Sequence, residues 1–161
     1  MKNVKEKHTQ RNEKNLNSHG DEIDLQKFIN VNEPLFQKLF SDKKLFKLGM
    51  NLPYNSPIFL PTISKLDLVN IILNLLTNAN ESSSEQILLS IELETVTNQK
   101  CTCCTKKFEG DFVKITATDY GIGIEENKLS SIFEPFFTTK GIIRLGLGLS
   151  VISGIVHNSQ G

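Results

Sequence analysis

Charge of one sign is the first thing this sequence lacks. Lys plus Arg number 18 and Asp plus Glu number 18 in 161 residues, so the formal net charge is zero. That balance offers neither the basic surface a polyanion needs nor a polybasic patch for an anionic bilayer. No nucleic-acid partner and no membrane contact are expected. Long apolar runs are missing too. None approaches the ~18 residues of a membrane span, and the start carries no apolar signal segment. A cytoplasmic chain is the expectation. Cysteine is scarce and crowded: three residues, an odd number, fall within 101–104, which excludes the evenly spread framework of a small secreted scaffold. Cys101, Cys103 and Cys104 contain a Cys-x-x-Cys, but a closed zinc site needs four ligands and no second cysteine pair exists. A reduced thiol cluster is the expectation, with metal binding the alternative.

What is present divides at about residue 20. Residues 1–20 are nearly all polar and cannot bury enough apolar area to offset ordering, so a disordered leader is expected there. Residues 22–161 read as one domain, a length that buries about 70% of its unfolded surface. Residues 22–25 suggest a short edge strand. Phe28, Ile29, Val31, Leu35, Phe36, Leu39 and Phe40 follow at mostly helical intervals, with Pro34 a candidate interruption. Residues 45–52 suggest a strand ended by Pro53, and residues 57–61 an edge fenced by prolines.

The informative stretch is Leu66 to Ser82. Read as a helix, it puts Asp67, Asn70, Asn74, Asn78 and Glu81 at steps of three, four, four and three, which keeps all five on one narrow stripe. Apolar residues from Leu66 to Ala79 fill a wider arc, the reverse of a surface helix. Ser64 is a candidate N-cap with Asp67 at the capping-box spacing. Such a stripe is either a solvated edge or a row of amides and acids aimed at a ligand.

Ile87, Leu89, Ile91 and Leu93 then alternate with Leu88, Ser90, Glu92 and Glu94 as a half-buried strand, and 97–110 reads as a polar, extended hairpin connection. Val113, Ile115 and Ala117 alternate likewise, so Asp119 falls on the inward parity just before Tyr120-Gly121-Ile122-Gly123. A buried acid needs hydrogen-bond partners; an Asp accepting local amides in an ordinary turn is the alternative. Residues 125–133 suggest a short helix with acids in its first turn. Phe133-Glu-Pro-Phe-Phe-Thr-Thr-Lys140 suggests either a lid over a pocket or aromatic core plugs. Leu145-Gly146-Leu147-Gly148-Leu149-Ser150 opens an apolar helix, and a glycine-rich helix entry is a ready anion site. No P-loop or dinucleotide fingerprint is present.

In this order the four segments resemble the catalytic, ATP-binding domain of sensor histidine kinases, within the wider ATPase group that includes gyrase and the heat-shock chaperone of that fold. Asn74 to Ser82 resembles the N box and Asp119 to Ile124 the first glycine box. Phe133 to Lys140 resembles the F box and Leu145 to Ser150 the second glycine box. The resemblance implies an α+β fold, a two-layer α/β sandwich with a mixed, mostly antiparallel sheet and helices on one face. It implies ATP and Mg2+ as cofactors, with Asn78 the metal ligand and Asn74 and Glu81 beside it. Asp119 would accept from the adenine amine, with Gly121 and Gly123 against the purine. Thr139 and Lys140 would belong to the lid, and Gly146, Leu147, Gly148 and Leu149 to the phosphate loop. The implied partners are a histidine-phosphoacceptor and dimerisation domain and a response regulator. The hydrolysing relatives carry a glutamate one turn before the magnesium asparagine; Asn74 stands there here and is no general base. The expectation is therefore ATP held for phosphoryl transfer to a histidine outside the chain.

Three departures accompany the resemblance. The acceptor hairpin is missing, and His8 and His19 lie in the polar leader. Arg144 and Leu145 replace the first Gly-Thr of the usual second glycine box. The sequence stops where the family adds two or more strands, so a C-terminally truncated sheet is expected. A nucleotide-dead interaction module, or a decayed kinase fragment without activity, is the alternative function.

Overall fold

The computed structural model describes residues 22–40, 45–53, 56–60, 62–82, 85–102, 104–139 and 145–159; the expected leader, 1–20, lies outside them. Along the chain run β1 (Ile23–Asp24), α1 (Leu25–Gln37), β2 (Leu45–Asn51), β3 (Phe59–Leu60), α2 (Lys65–Asn80), β4 (Gln86–Lys100), β5 (Lys107–Asp119) and α3 (Gly148–Asn158). The main sheet has the order β2-β4-β5, with β2 parallel and β5 antiparallel to β4, while β1 and β3 form a small antiparallel pair. The fold is α+β, with a mixed sheet and helices.

Alternation along β4 decides where the core lies. Ile87, Leu89 and Ile91 are buried on one face and meet Leu25, Ile29 and Phe36 of α1 and Leu68, Ile72, Leu76 and Ala79 of α2. Each of these Leu, Ile and Phe side chains contributes about 1.5–3 kcal/mol on burial. That packing explains why α1 runs through Pro34. A mid-helix proline costs about 3 kcal/mol, and the buried residues on either side of it offset this. Leu66, counted with the apolar arc in the sequence, is instead 69% exposed, and Ile71 is buried.

Two expectations are corrected. The segment 97–110 is a hairpin, but not connection throughout: the β4–β5 ladder continues to Lys100↔Lys107, with a shift between Val96 and Gln99. Main-chain pairing needs no apolar side chains where both faces are wet, so polarity concealed it. Residues 125–133 form a 3-10 turn over Glu126–Lys128 and further turns rather than an α-helix. Asn127, Ser130 and Ser131 compete for the backbone there, and Pro135 disfavours helix at Glu134.

Ser64 does cap α2: its Oγ accepts the Asp67 N–H at 3.0 Å and donates to Asp67 Oδ2 at 2.7 Å. α3 lies antiparallel against α2. Its first residue, Gly148, faces Asn74, and just beyond its last turn the Ser159 carbonyl accepts from Thr62 Oγ1 at 3.0 Å. No helix among the described residues is long and apolar enough to cross a membrane.

Candidate functional site

Helical geometry puts the polar stripe of α2 on one side, and the packing decides what faces it. Asp67, Asn70, Asn74, Asn78 and Glu81 are all half-buried, neither core nor freely solvated. Asn74 Nδ2 donates to the Asn70 carbonyl at 2.9 Å, which holds the amide against its own helix and turns Oδ1 outward. There it meets α3: a Cβ on Gly148 would sit 3.0 Å from Asn74 Oδ1. Glu81 closes α2 as its C-cap residue, and its Oε1 is out of contact with solvent.

At the far end of the stripe the first glycine turn docks. Ladder pairing places Asp119 opposite buried Ile87, so its side chain lies on the helix-covered face, as the parity required. Asp119 Oδ1 accepts the Gly121 N–H at 2.9 Å, an Asx turn that fixes the carboxylate and reverses the chain. The local-turn alternative and the inward position therefore hold together. Gly121 is required by close approach, since a Cβ there would lie 2.1 Å from the Ser82 carbonyl oxygen. The backbone it approaches is the end of α2. Gly123 is required for a different reason: its φ is +70° and its missing side chain faces open space.

The F box and the second glycine box form one unit. Phe136 N–H donates to the Gly146 carbonyl at 3.1 Å, and a Cβ on Gly146 (φ +63°) would lie 2.3 Å from the Phe137 carbonyl oxygen. Phe136 itself has φ +68° and is 71% exposed, while Phe133 and Phe137 are half-buried. The segment is thus neither a set of core plugs nor wholly detached. Thr139 is exposed, and Lys140 lies outside the described residues. Leu147 is the N-cap of α3 and gives no side-chain cap to the first-turn amides of Gly148, Leu149 and Ser150.

Two contacts thus mark α2, Gly148 at Asn74 and Gly121 at Ser82, and Asn78 lies between them, one turn beyond Asn74. Eight residues of helix span about 12 Å. The structure brings together Asn74, Asn78, Glu81, Asp119, Gly121 and Gly148, and ties Gly146 to the F box. A broad open concavity of about 930 Å3 beside α1 and β2, lined by Asp24, Lys27, Asn30 and Met50 among others, shares no residue with this group. Sequence reasoning missed Ser82 as the surface Gly121 docks on; a serine inside a polar run gives no signal of that. It also missed His157, which stands beside Cys101 and Cys104.

Comparison with known proteins bears on the family and the fold. Sensor histidine kinase ZraS of Salmonella typhimurium is 36% identical over 94 residues, 58% of this chain and 17% of that protein. Sensor kinase CckA of Brucella abortus is 46% identical over 54 residues, 33% of this chain and 6% of that one. The chain therefore spans less than a fifth of these relatives. The catalytic domain of histidine kinase ThkA superposes with a TM-score of 0.59 at 23% identity, covering 86% of this chain and 80% of that domain. The mycobacterial sensor histidine kinase MprB gives 0.59 at 19%, covering 88% and 80%. At these identities the two structures speak for the fold. Residues 64–161, more than half of the chain, match the histidine kinase-, DNA gyrase B- and HSP90-like ATPases, and the chain belongs to that family.

Proposed function

We propose that this chain is the ATP-binding catalytic domain of a two-component sensor histidine kinase, holding Mg-ATP for phosphoryl transfer to a histidine outside the chain. The observation that carries this is the facing of the α2 stripe by two glycine turns, Gly148 at Asn74 and Gly121 at Ser82. Each turn lacks a side chain where one would fill the space beside the stripe. The donor set fits a magnesium ion: an amide oxygen on Asn78 with a carboxylate nearby on Glu81 is hard oxygen chemistry. Bound there, the ion would neutralise phosphate charge. Asn78 would hold the metal, the first-turn amides of α3 would meet phosphate oxygens, and Asp119, already fixed by Gly121, would accept from the adenine amine.

Asn74 bears on the reaction. Its amide is tied to the Asn70 carbonyl and has no basic lone pair with which to activate water. The site therefore suits transfer better than hydrolysis. The acceptor would be a phosphoacceptor and dimerisation domain, with a response regulator downstream, in the cytoplasm. A nucleotide-dead interaction module remains the second reading, favoured by Leu145, which puts a 72% exposed apolar side chain at the mouth of the second glycine box.

Calorimetric titration separates the two. The kinase reading expects ATP binding that requires magnesium and weakens at least about tenfold in Asn78→Ala, the loss of one contact to a charged group. Equal binding with and without magnesium would remove the metal role from Asn78. No binding at all would leave the interaction module. With γ-labelled ATP, label should appear only on an added acceptor domain and not on the chain alone.

A further inference from the structure

Far from the proposed nucleotide residues, at the tip of the β4–β5 hairpin, three soft ligands converge from segments remote in sequence. Cys101 Sγ lies 3.5 Å and Cys104 Sγ 3.3 Å from Nε2 of His157, which is 56 and 53 residues further along on the last turn of α3. The three donor atoms lie within 4.8 Å of one another, all three residues are half-buried, and neither cysteine is in a disulfide. We propose that Cys101, Cys104 and His157 form a binding site for a zinc-class divalent cation. It is independent of the nucleotide reading.

The distances match the chemistry. Tetrahedral zinc with bonds of about 2.3 Å to sulfur and about 2.05 Å to nitrogen separates a thiolate from an imidazole by about 3.5 Å. The two S···N separations observed are 3.5 and 3.3 Å. Thiolate with imidazole selects zinc over magnesium or calcium, which take oxygen. The scaffold is braced on both sides. Cys101 N–H donates to the Lys106 carbonyl at 2.8 Å and Thr105 N–H to the Cys101 carbonyl at 3.0 Å, closing the turn that carries both cysteines. The end of α3 is held by the Thr62–Ser159 hydrogen bond. Nδ1 of His157 lies 3.5 Å from Ser153 Oγ, one turn back. In the tautomer that donates from Nδ1 to this hydroxyl, the Nε2 lone pair faces the sulfurs, the usual outer-shell support of a metal-bound histidine.

On binding, each thiol releases its proton to solvent and the two thiolates neutralise the dication. Among the described residues three protein donors converge, one fewer than the four ligands of tetrahedral zinc. The ion would clip the hairpin tip to α3, whose opposite end faces Asn74.

The test uses the full chain, reduced and stripped of metal. Zinc titrated against a chromophoric chelator should bind at one equivalent and raise Tm by about 5–10 °C at a hundredfold excess over Kd. Cobalt(II) should give thiolate charge-transfer and tetrahedral d–d bands in the wild-type protein, a readout that needs no variant to fold. Cys104→Ser and His157→Gln should each weaken zinc at least about a hundredfold, and Ser153→Ala about tenfold. Absence of stoichiometric zinc at micromolar concentration, cobalt spectra without thiolate bands, or unchanged affinity in His157→Gln would each overturn the site.

Discussion

Where β5 ends beside the last turn of α2, the chain reverses through Gly121 and Gly123; where β4 ends beside α3, it reverses through Thr105, after a bulge at Asn98. Both ends need backbone that most residues resist. At the first, glycines stand where the space or the dihedral demands them. At the second, Thr105 has φ +62° and Asn98 φ +50°. Asparagine tolerates the left-handed region, but for a β-branched residue entering it costs about 1–2 kcal/mol. One end is relaxed by residue choice, and the other stores strain in a turn whose cysteines converge on His157.

The largest test of that contrast is Gly121→Ala. The new methyl would lie 2.1 Å from a main-chain oxygen and 2.6 Å from Ser82 Cβ, neither the far end of a flexible side chain, so α2 or the turn must move. We expect a loss of about 3 kcal/mol in urea unfolding, the upper range for overpacking, together with loss of ATP binding. Gly123→Ala meets nothing within 4 Å and has only its φ of +70° against it, so about 1 kcal/mol is expected. Equal losses in the two variants would mean that Gly121 is not pressed against α2.

This pair also marks what was legible beforehand. Asn74, Asn78, Asp119 and the glycines could be picked out because local spacing, helical in one case and alternating in the other, places them before any tertiary contact is known. The Ser64 cap was legible for the same reason. What glycine is for at each position was not: Gly121 serves a contact with Ser82, 39 positions earlier, and Gly123 serves a dihedral. Cys101 and Cys104 could be noticed, but His157 is 53 residues beyond Cys104, and no periodicity links a hairpin tip to the end of a helix. The ladder beyond Val96 was hidden because the strand pairing there rests mainly on main chain and its mostly polar side chains show no alternation.

A smaller effect of opposite sign is expected at the strained end. Thr105 is exposed, so Thr105→Gly removes little packing. Relief of the left-handed strain, about 1–2 kcal/mol, exceeds the added freedom of the unfolded chain, about 0.5–1 kcal/mol. The variant should be about 0.5–1 kcal/mol more stable, raising Tm by about 2–3 °C. A calorimetric scan that shows it less stable would mean the threonine side chain holds the turn, and the strain argument would fail.

The smallest effect lies midway along the ladder, on the sheet face away from the helices. Lys114 Nζ is 3.2 Å from Glu94 and 3.4 Å from Glu92. The hydrogen bond and charge of Glu94, then those of Glu92, hold the ammonium above the ordinary lysine value of 10.5. A lysine raised on folding contributes its stability fully below the unfolded value, and that contribution disappears as pH rises through the folded one. The group is exposed and screened by salt, so the contribution is small. In low salt, Lys114→Met should lower the urea midpoint slightly at neutral pH, with the two proteins converging above pH 10.5. Neither ATP nor zinc affinity should change, because Lys114 touches neither end of the ladder. A wild-type advantage that grows at alkaline pH would have the opposite sign and show that the two glutamates are not what holds the ammonium.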